Sequence, residues 1–146
     1  MKFDQRRLHS NWVAVRRLLL LVGLAGLSVP VLAADEDSSR NAIEKLEASS
    51  ISGQTLVKVT LREPLSAAPA SFTVSSPPRI AFDFLATDNA SGANSQQYSL
   101  AELQSVNVVQ AGGRTRLVLN LNRSSRYETR IDGKSLYISL VGSSAD

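Results

Sequence analysis

Apolar and polar side chains alternate most regularly over Arg114 to Leu121, where Thr115, Leu117, Leu119 and Leu121 take every second position and Arg114, Arg116 and Asn120 fall between them. A period of two sends the first set to one face of a β-strand and the second set to the other. Sixty positions earlier, Thr55, Val57, Val59 and Leu61 repeat the pattern, with Lys58 and Thr60 on the opposite face. Both stretches predict strands of a sheet with one face in a core and the other in water.

At the same offset, Ile43 matches Leu103, Leu46 matches Val106, Ala48 matches Val108 and Gly53 matches Gly113. Forwards, with one small gap, Phe72-Thr73-Val74 is matched to Tyr127-Glu128-Thr129, and Ile80-Ala81-Phe82-Asp83-Phe84 to Leu136-Tyr137-Ile138-Ser139-Leu140. The chain therefore holds an internal repeat of about four short strands per half. Neither half can bury its apolar face alone, so the expectation is an all-β fold, a small β-sandwich of two related sheets made by packing the halves together. The inward set is Val57, Val59, Leu61, Ile80, Phe82, Phe84, Leu117, Leu119, Leu121, Leu136, Ile138 and Leu140.

The remaining segments follow from local chemistry. The stretch from Asn41 to Glu47 is expected to be a strand because it matches a run ending in the β-branched Val106, Val108 and Val109. Pro64 and Pro69 mark the connection from Glu63 to Ala70, and Pro78 opens the strand Arg79 to Leu85. Ala86 to Ser99, rich in Ser, Asn, Gly and Gln, reads as a long loop between the halves. Asp132-Gly133 predicts a tight turn between the last two strands.

Ahead of the repeat, Lys2, Arg6, Arg7, Arg16 and Arg17 precede the apolar run Leu18 to Leu27, and Val31-Leu32-Ala33 ends it with a small residue. A basic region, a hydrophobic stretch and an A-x-A-like site in that order predict a secretory signal over residues 1–33, cleaved after Ala33. The run is short for a membrane anchor and is followed at once by Pro30 and by Asp35-Glu36-Asp37. Residues 34–40 then form a flexible lead-in, residues 41–141 the domain and residues 142–146 a linker-like end, with no membrane span in the mature part.

Charge changes meaning once the signal is set aside. The chain carries 16 basic and 13 acidic residues, of which residues 1–33 hold five and one, so the mature part has 11 and 12. It is near neutral, which removes the support for nucleic-acid binding. An uneven cluster remains, with Arg114, Arg116, Arg123, Arg126, Arg130 and Lys134 against Glu128 and Asp132. Such a cluster is commonly just a solvated face.

The only His is His9 and the only Trp is Trp12, both within the signal, and the chain has no Cys. The usual zinc sites, a Ser-His-Asp triad and a Cys-His pair are thereby excluded from the mature part, and no cofactor is implied. No spacing singles out a carboxylate pair for catalysis. Asp83, set between Phe82 and Phe84, is expected to hydrogen-bond or to pair with an arginine instead. Without disulfides the domain is held by its core alone.

Leu56 to Leu65, Pro77 to Phe84, Ser105 to Gly112 and Thr115 to Leu121, followed by Tyr127-Glu128-Thr129 and Ile131 to Leu136, together resemble the AMIN domain family. The likeness runs from about Asn41 to Val141 and is strongest to those members that open the outer-membrane secretins of type IV pili. It implies a small β-sandwich of two related sheets, exported to the periplasm and associated with peptidoglycan. The expected role is a non-catalytic module that holds the secretin, and through it the outer-membrane channel, against the cell wall. Other secretin subunits and pilus-assembly proteins are the further partners implied. Two rivals stand beside it: the targeting half of an N-acetylmuramoyl-L-alanine amidase, and a protein-interaction module that never touches glycan.

Peptidoglycan offers carboxylates, amides and sugar hydroxyls, which call for arginine forks and for Asn or Gln. The outward residues Arg114, Arg116, Asn120 and Asn122 in the second half, with Arg79 and Asp83 in the first, are the candidate ligand-binding set. These are chosen on chemistry alone. Tyr98 and Tyr137 are weighed as stacking platforms for sugars, against the commoner role of partly buried packing.

Overall fold

In the computed structural model, residues 40–142 are described, and they form ten strands in two five-stranded sheets. The predicted signal, most of the lead-in and nearly all of the linker-like end lie outside the described residues. The strands are β1 (Asn41–Ile51), β2 (Gln54–Leu61), β3 (Ala70–Ser75), β4 (Pro78–Leu85), β5 (Thr87–Asn89), β6 (Ser95–Gln97), β7 (Leu103–Ala111), β8 (Arg114–Leu121), β9 (Ser125–Asp132) and β10 (Ser135–Gly142). Sheet A runs β5-β1-β2-β10-β9 and sheet B runs β3-β4-β8-β7-β6. No helix among the described residues is long and apolar enough to cross a membrane.

The fold class is as expected, and the alternation that predicts β2 and β8 gives their bounds to the residue. Each half consists of two hairpins with two-residue loops, at Ser52-Gly53 and Ser76-Pro77 in the first and Gly112-Gly113 and Gly133-Lys134 in the second. At the first loop Ser52 and Gly53 have φ of 52° and 77°, the doubly left-handed geometry of a type I′ turn that suits twisted strands. The last turn is centred one residue later than the Asp132-Gly133 signal suggests: Asp132 still pairs with Ser135, and Gly133 supplies the positive φ.

The halves do not each make one sheet. The first hairpin of one half pairs with the second hairpin of the other, so that β2 lies beside β10 and β4 beside β8. The registers repeat as well: Leu136 opposes Val59 and Ile138 opposes Val57 in sheet A, while Ile80 opposes Leu119 and Phe82 opposes Leu117 in sheet B. Even the irregularity recurs, with one bulge between Ile43 and Lys45 in β1 and one between Leu103 and Ser105 in β7. A bulge inserts an extra residue and flips the alternation locally, so its recurrence ties both copies to one backbone design.

Register also corrects one pairing of the repeat. Thr73 opposes Ile80 as Ile131 opposes Leu136, so Phe72-Thr73-Val74 corresponds to Arg130-Ile131-Asp132 and not to Tyr127-Glu128-Thr129. Three residues is an odd shift, which exchanges the two faces of the strand. Phe72 and Val74 thus stand on the outer face, where β9 carries Arg130 and Asp132.

All twelve side chains of the inward set are buried, and Ile43, Leu46, Leu103, Val106 and Val108 complete the cluster between the sheets. Phe82, fully buried, meets Tyr127 of the other sheet edge to face at 5.4 Å, and the Tyr127 hydroxyl bonds Ser71 Oγ at 2.7 Å. This contact closes the sandwich along its β3 and β9 edges.

The segment from Ala86 to Ser99, expected to be a loop, contributes an edge strand to each sheet. β5 pairs parallel to β1, and β6 pairs antiparallel to β7. Between them, the Asn89 side chain donates to Ala93 O and Asn94 Oδ1 and accepts from the Ser91 amide and hydroxyl. A polar side chain therefore does for this crossing what apolar packing does elsewhere.

Candidate functional site

Hairpin exchange decides where the candidate residues meet. Arg79 and Asp83 sit on β4 and Arg114, Arg116 and Asn120 on β8, and these strands are neighbours: Arg79 opposes Asn120, Asp83 opposes Arg116 and Leu85 opposes Arg114. Directly opposed residues share a face, so five of the six candidates lie together on the outer face of sheet B. Asn122 does not join them. It follows the end of β8, where its side chain donates to Leu100 O at 2.9 Å and its backbone amide to Glu102 O at 2.9 Å.

The five are not equivalent. Arg116 is committed to Asp83 by two parallel bonds, Nε to Oδ1 at 2.6 Å and a terminal nitrogen to Oδ2 at 2.8 Å. This fork-to-fork geometry is the strongest form of the contact. The Arg116 hydrogen bonds, with Arg114 nearby, hold the Asp83 carboxyl below its usual range. The Arg116 guanidinium also covers the Phe72 ring, with its carbon 5.0 Å from the centroid. Asn120 donates to Ser105 Oγ at 2.9 Å. Arg79 is exposed, with no carboxylate paired to it among the described residues.

Arg114 also keeps capacity for a further partner. Its side chain is 56% exposed and its one carboxylate neighbour among the described residues, Asp83, is 3.9 Å away. It stands between two recesses. One, of about 500 Å³, runs beneath the connection before β3 and is bounded by Leu65, Ala68, Pro69 and Leu85; the other, of about 210 Å³, is bounded by Val109, Ala111 and Arg116. Phe72, Val74, Leu85 and Val109, four of the five exposed large apolar side chains among the described residues, lie on this same outer face.

Sheet A provides the comparison because its strands repeat those of sheet B. Its outer face carries Lys45, Glu47, Lys58, Glu128, Arg130 and Asp132, with the Tyr137 ring approached by Lys58 Nζ at 5.7 Å and Arg130 at 4.9 Å. Tyr137 therefore lies across the whole sandwich from Arg79, Arg114 and Arg116. Tyr98 is partly buried packing against the core, and its desolvation raises the hydroxyl pKa. Neither tyrosine joins the β4–β8 group.

Sequence reasoning missed Glu102. The residue is 3% exposed, and its carboxylate accepts from Thr55 Oγ1 at 2.6 Å and from an Arg123 terminal nitrogen at 2.9 Å. The Thr55 bond, with help from Arg123, holds its pKa below the ordinary range. The repeat carried the signal, because one step before the matched pair Ile43 and Leu103 stand Ala42 and Glu102, and both are buried. Among the described residues, no group of three or more His, Cys, Asp or Glu is placed to hold a metal ion.

Comparison with known proteins adds the family. The model of the AMIN domain matches residues 46–140. The fimbrial assembly protein PilQ of Pseudomonas aeruginosa is 37% identical over 125 residues, covering 84% of this chain and 17% of that protein. The type IV pilus biogenesis and competence proteins PilQ of Neisseria gonorrhoeae and of Neisseria meningitidis serogroup B are each 32% identical over 115 residues, 79% of this chain. The chain spans only 15–17% of the length of these relatives.

Proposed function

Because the chain belongs to the AMIN domain family, we propose that it is a non-catalytic periplasmic module that binds peptidoglycan and holds a type IV pilus secretin against the cell wall. Its similarity to PilQ proteins favours the secretin context over that of a cell-wall amidase. Export follows from the signal read in residues 1–33, and attachment to the outer membrane comes through the rest of the secretin.

The observation that carries the reading is the contrast between the two outer faces. One backbone design has been used twice, and on sheet A its outer positions carry the ion pairs Lys45–Glu47 and Arg130–Asp132 and the Tyr137 ring approached by two cations, with Ile51 the one exposed large apolar side chain there among the described residues. On sheet B they hold exposed apolar side chains around Arg79, Arg114 and the Asp83–Arg116 pair. Exposed apolar groups gathered beside an available arginine describe a surface built to be covered by an anionic ligand.

The test is sedimentation of the chain lacking residues 1–33 with insoluble peptidoglycan sacculi, beside an Arg79→Ala/Arg114→Ala variant and across a salt series. The parent is expected to sediment, the variant to remain in solution, and added salt to weaken binding by screening the arginine contacts. Sedimentation that neither the variant nor salt affects would reassign the face. In that case backbone pairing at an edge strand becomes the better account.

A further inference from the structure

The groove beside Arg114 allows the ligand to be named more narrowly, on the basis of the wall-binding reading above. Its volume of about 500 Å³ lies in the range of small-molecule sites, and it is open along one side. Its walls are mostly small and aliphatic, with Leu65, Ala67, Ala68, Pro69 and Leu85, and the one ring among them, Phe84, is buried in the core and presents no open face. Of the polar side chains that line it, Asp83 is held by Arg116, the Thr87 hydroxyl donates to Leu85 O at 2.8 Å, and Ser66 adds a single exposed hydroxyl. Arg114 is the one cation in the lining, and the 3.9 Å contact with Asp83 leaves its fork open to a better placed carboxylate.

What the groove lacks is equally specific. A sugar ring is recognised by an open aromatic face or by several convergent polar side chains. Phe72 is the only aromatic ring on the outer face of sheet B among the described residues, and the Arg116 guanidinium already covers it. Asn120 is engaged by Ser105, and Tyr98 and Tyr137 stand elsewhere. The lining therefore offers one charge-assisted contact, one serine hydroxyl and a strip of methyl and methylene groups. Those features complement a peptide of small aliphatic residues carrying a carboxylate.

We infer that the groove between the connection Leu65–Ala70 and the β4–β8 strand ends takes the peptide part of peptidoglycan, not its sugars, with Arg114 gripping a stem-peptide carboxylate in bidentate fashion. Leu65, Pro69 and Leu85 cover the aliphatic side chains next to it. Arg116 is a positioning residue: by occupying Asp83 it keeps that carboxylate from closing on Arg114.

The experiment compares three ligands for the chain lacking residues 1–33: intact sacculi, glycan strands enzymatically stripped of their peptides, and stem peptide released in solution. Intact sacculi are expected to bind, stripped strands to bind at least tenfold more weakly, and free stem peptide to compete with sacculi while its carboxyl-amidated form does not. Arg114→Ala and Arg114→Lys should both weaken sacculus binding about tenfold or more, because a point charge does not replace the fork. Circular dichroism verifies that these exposed substitutions leave the fold intact. Equal binding of stripped and intact wall overturns the peptide inference while leaving wall binding standing. Failure to bind intact sacculi overturns wall binding itself.

Discussion

Replacing Glu102 by Ala removes the acceptor of the Thr55 hydroxyl from a place that water does not reach. Thr55 is fully buried, so the stranded hydroxyl alone costs about 1–3 kcal/mol. The Arg123 contact adds less than about 1 kcal/mol, because that side chain is 57% exposed and water replaces its partner. A loss of about 2–3 kcal/mol is expected. It is measurable by urea unfolding followed by far-ultraviolet circular dichroism, since the only Trp, Trp12, precedes the sandwich and does not report on its core. In the double variant Thr55→Val/Glu102→Leu both partners become apolar, and its loss should fall short of the sum of the single losses by about 1–2 kcal/mol. The pH dependence has a definite sign. Glu102 is held below its ordinary range in the folded state, so the unfolded chain protonates it first as pH falls. Its contribution is complete above the ordinary glutamate range and is lost as pH drops through the lowered folded value. The gap between parent and Glu102→Ala should therefore narrow on acidification. A loss under about 0.5 kcal/mol, or a gap that widens in acid, would refute the reasoning.

Two other substitutions probe the frame of the sandwich. Phe82→Ala empties a fully buried site and removes the ring that Tyr127 meets edge on, so it should cost about 3–5 kcal/mol in the same unfolding assay. Ser52→Asn places the residue favoured in a type I′ turn at a position already at φ 52°, and should raise the urea midpoint, by about 0.5 kcal/mol in stability.

The core was legible because burial in a sheet imposes a period of two: β2 and β8 obey it throughout, β10 as far as Val141, and β4 departs from it only at Ala81, which is buried although it faces outward. What alternation cannot convey is the neighbour. Val57 and Val59 would face inward equally well beside β4 or beside β10, so the exchange of hairpins left no mark on the local pattern. β5 and β6 were hidden for another reason: each is three residues long and polar, and each is held by an existing strand more than by its own side chains. Of the candidate site, the outward direction of Arg79, Asp83, Arg114, Arg116 and Asn120 was readable from parity. Their assembly on one face was not, since it depends on β4 and β8 being neighbours. The expected Asp83 ion pair is present, whereas the difference in availability between Arg114 and Arg116 came only from the distances.

The exchanged hairpins also constrain how such a chain could arise. A half-length ancestor holding β1 to β4 would have had two hairpins facing opposite sheets and no surface on which to fold them together. Two copies related by a two-fold axis would have closed both sheets at once, each lending one hairpin to each layer. On this view the sandwich is a homodimer whose subunits were joined end to end, and the segment from Ala86 to Ser99 is the joint. Fusion then freed the two outer faces from having to be identical, which a symmetric pair can never escape, and let exposed apolar side chains gather on that of sheet B while charged ones gathered on that of sheet A.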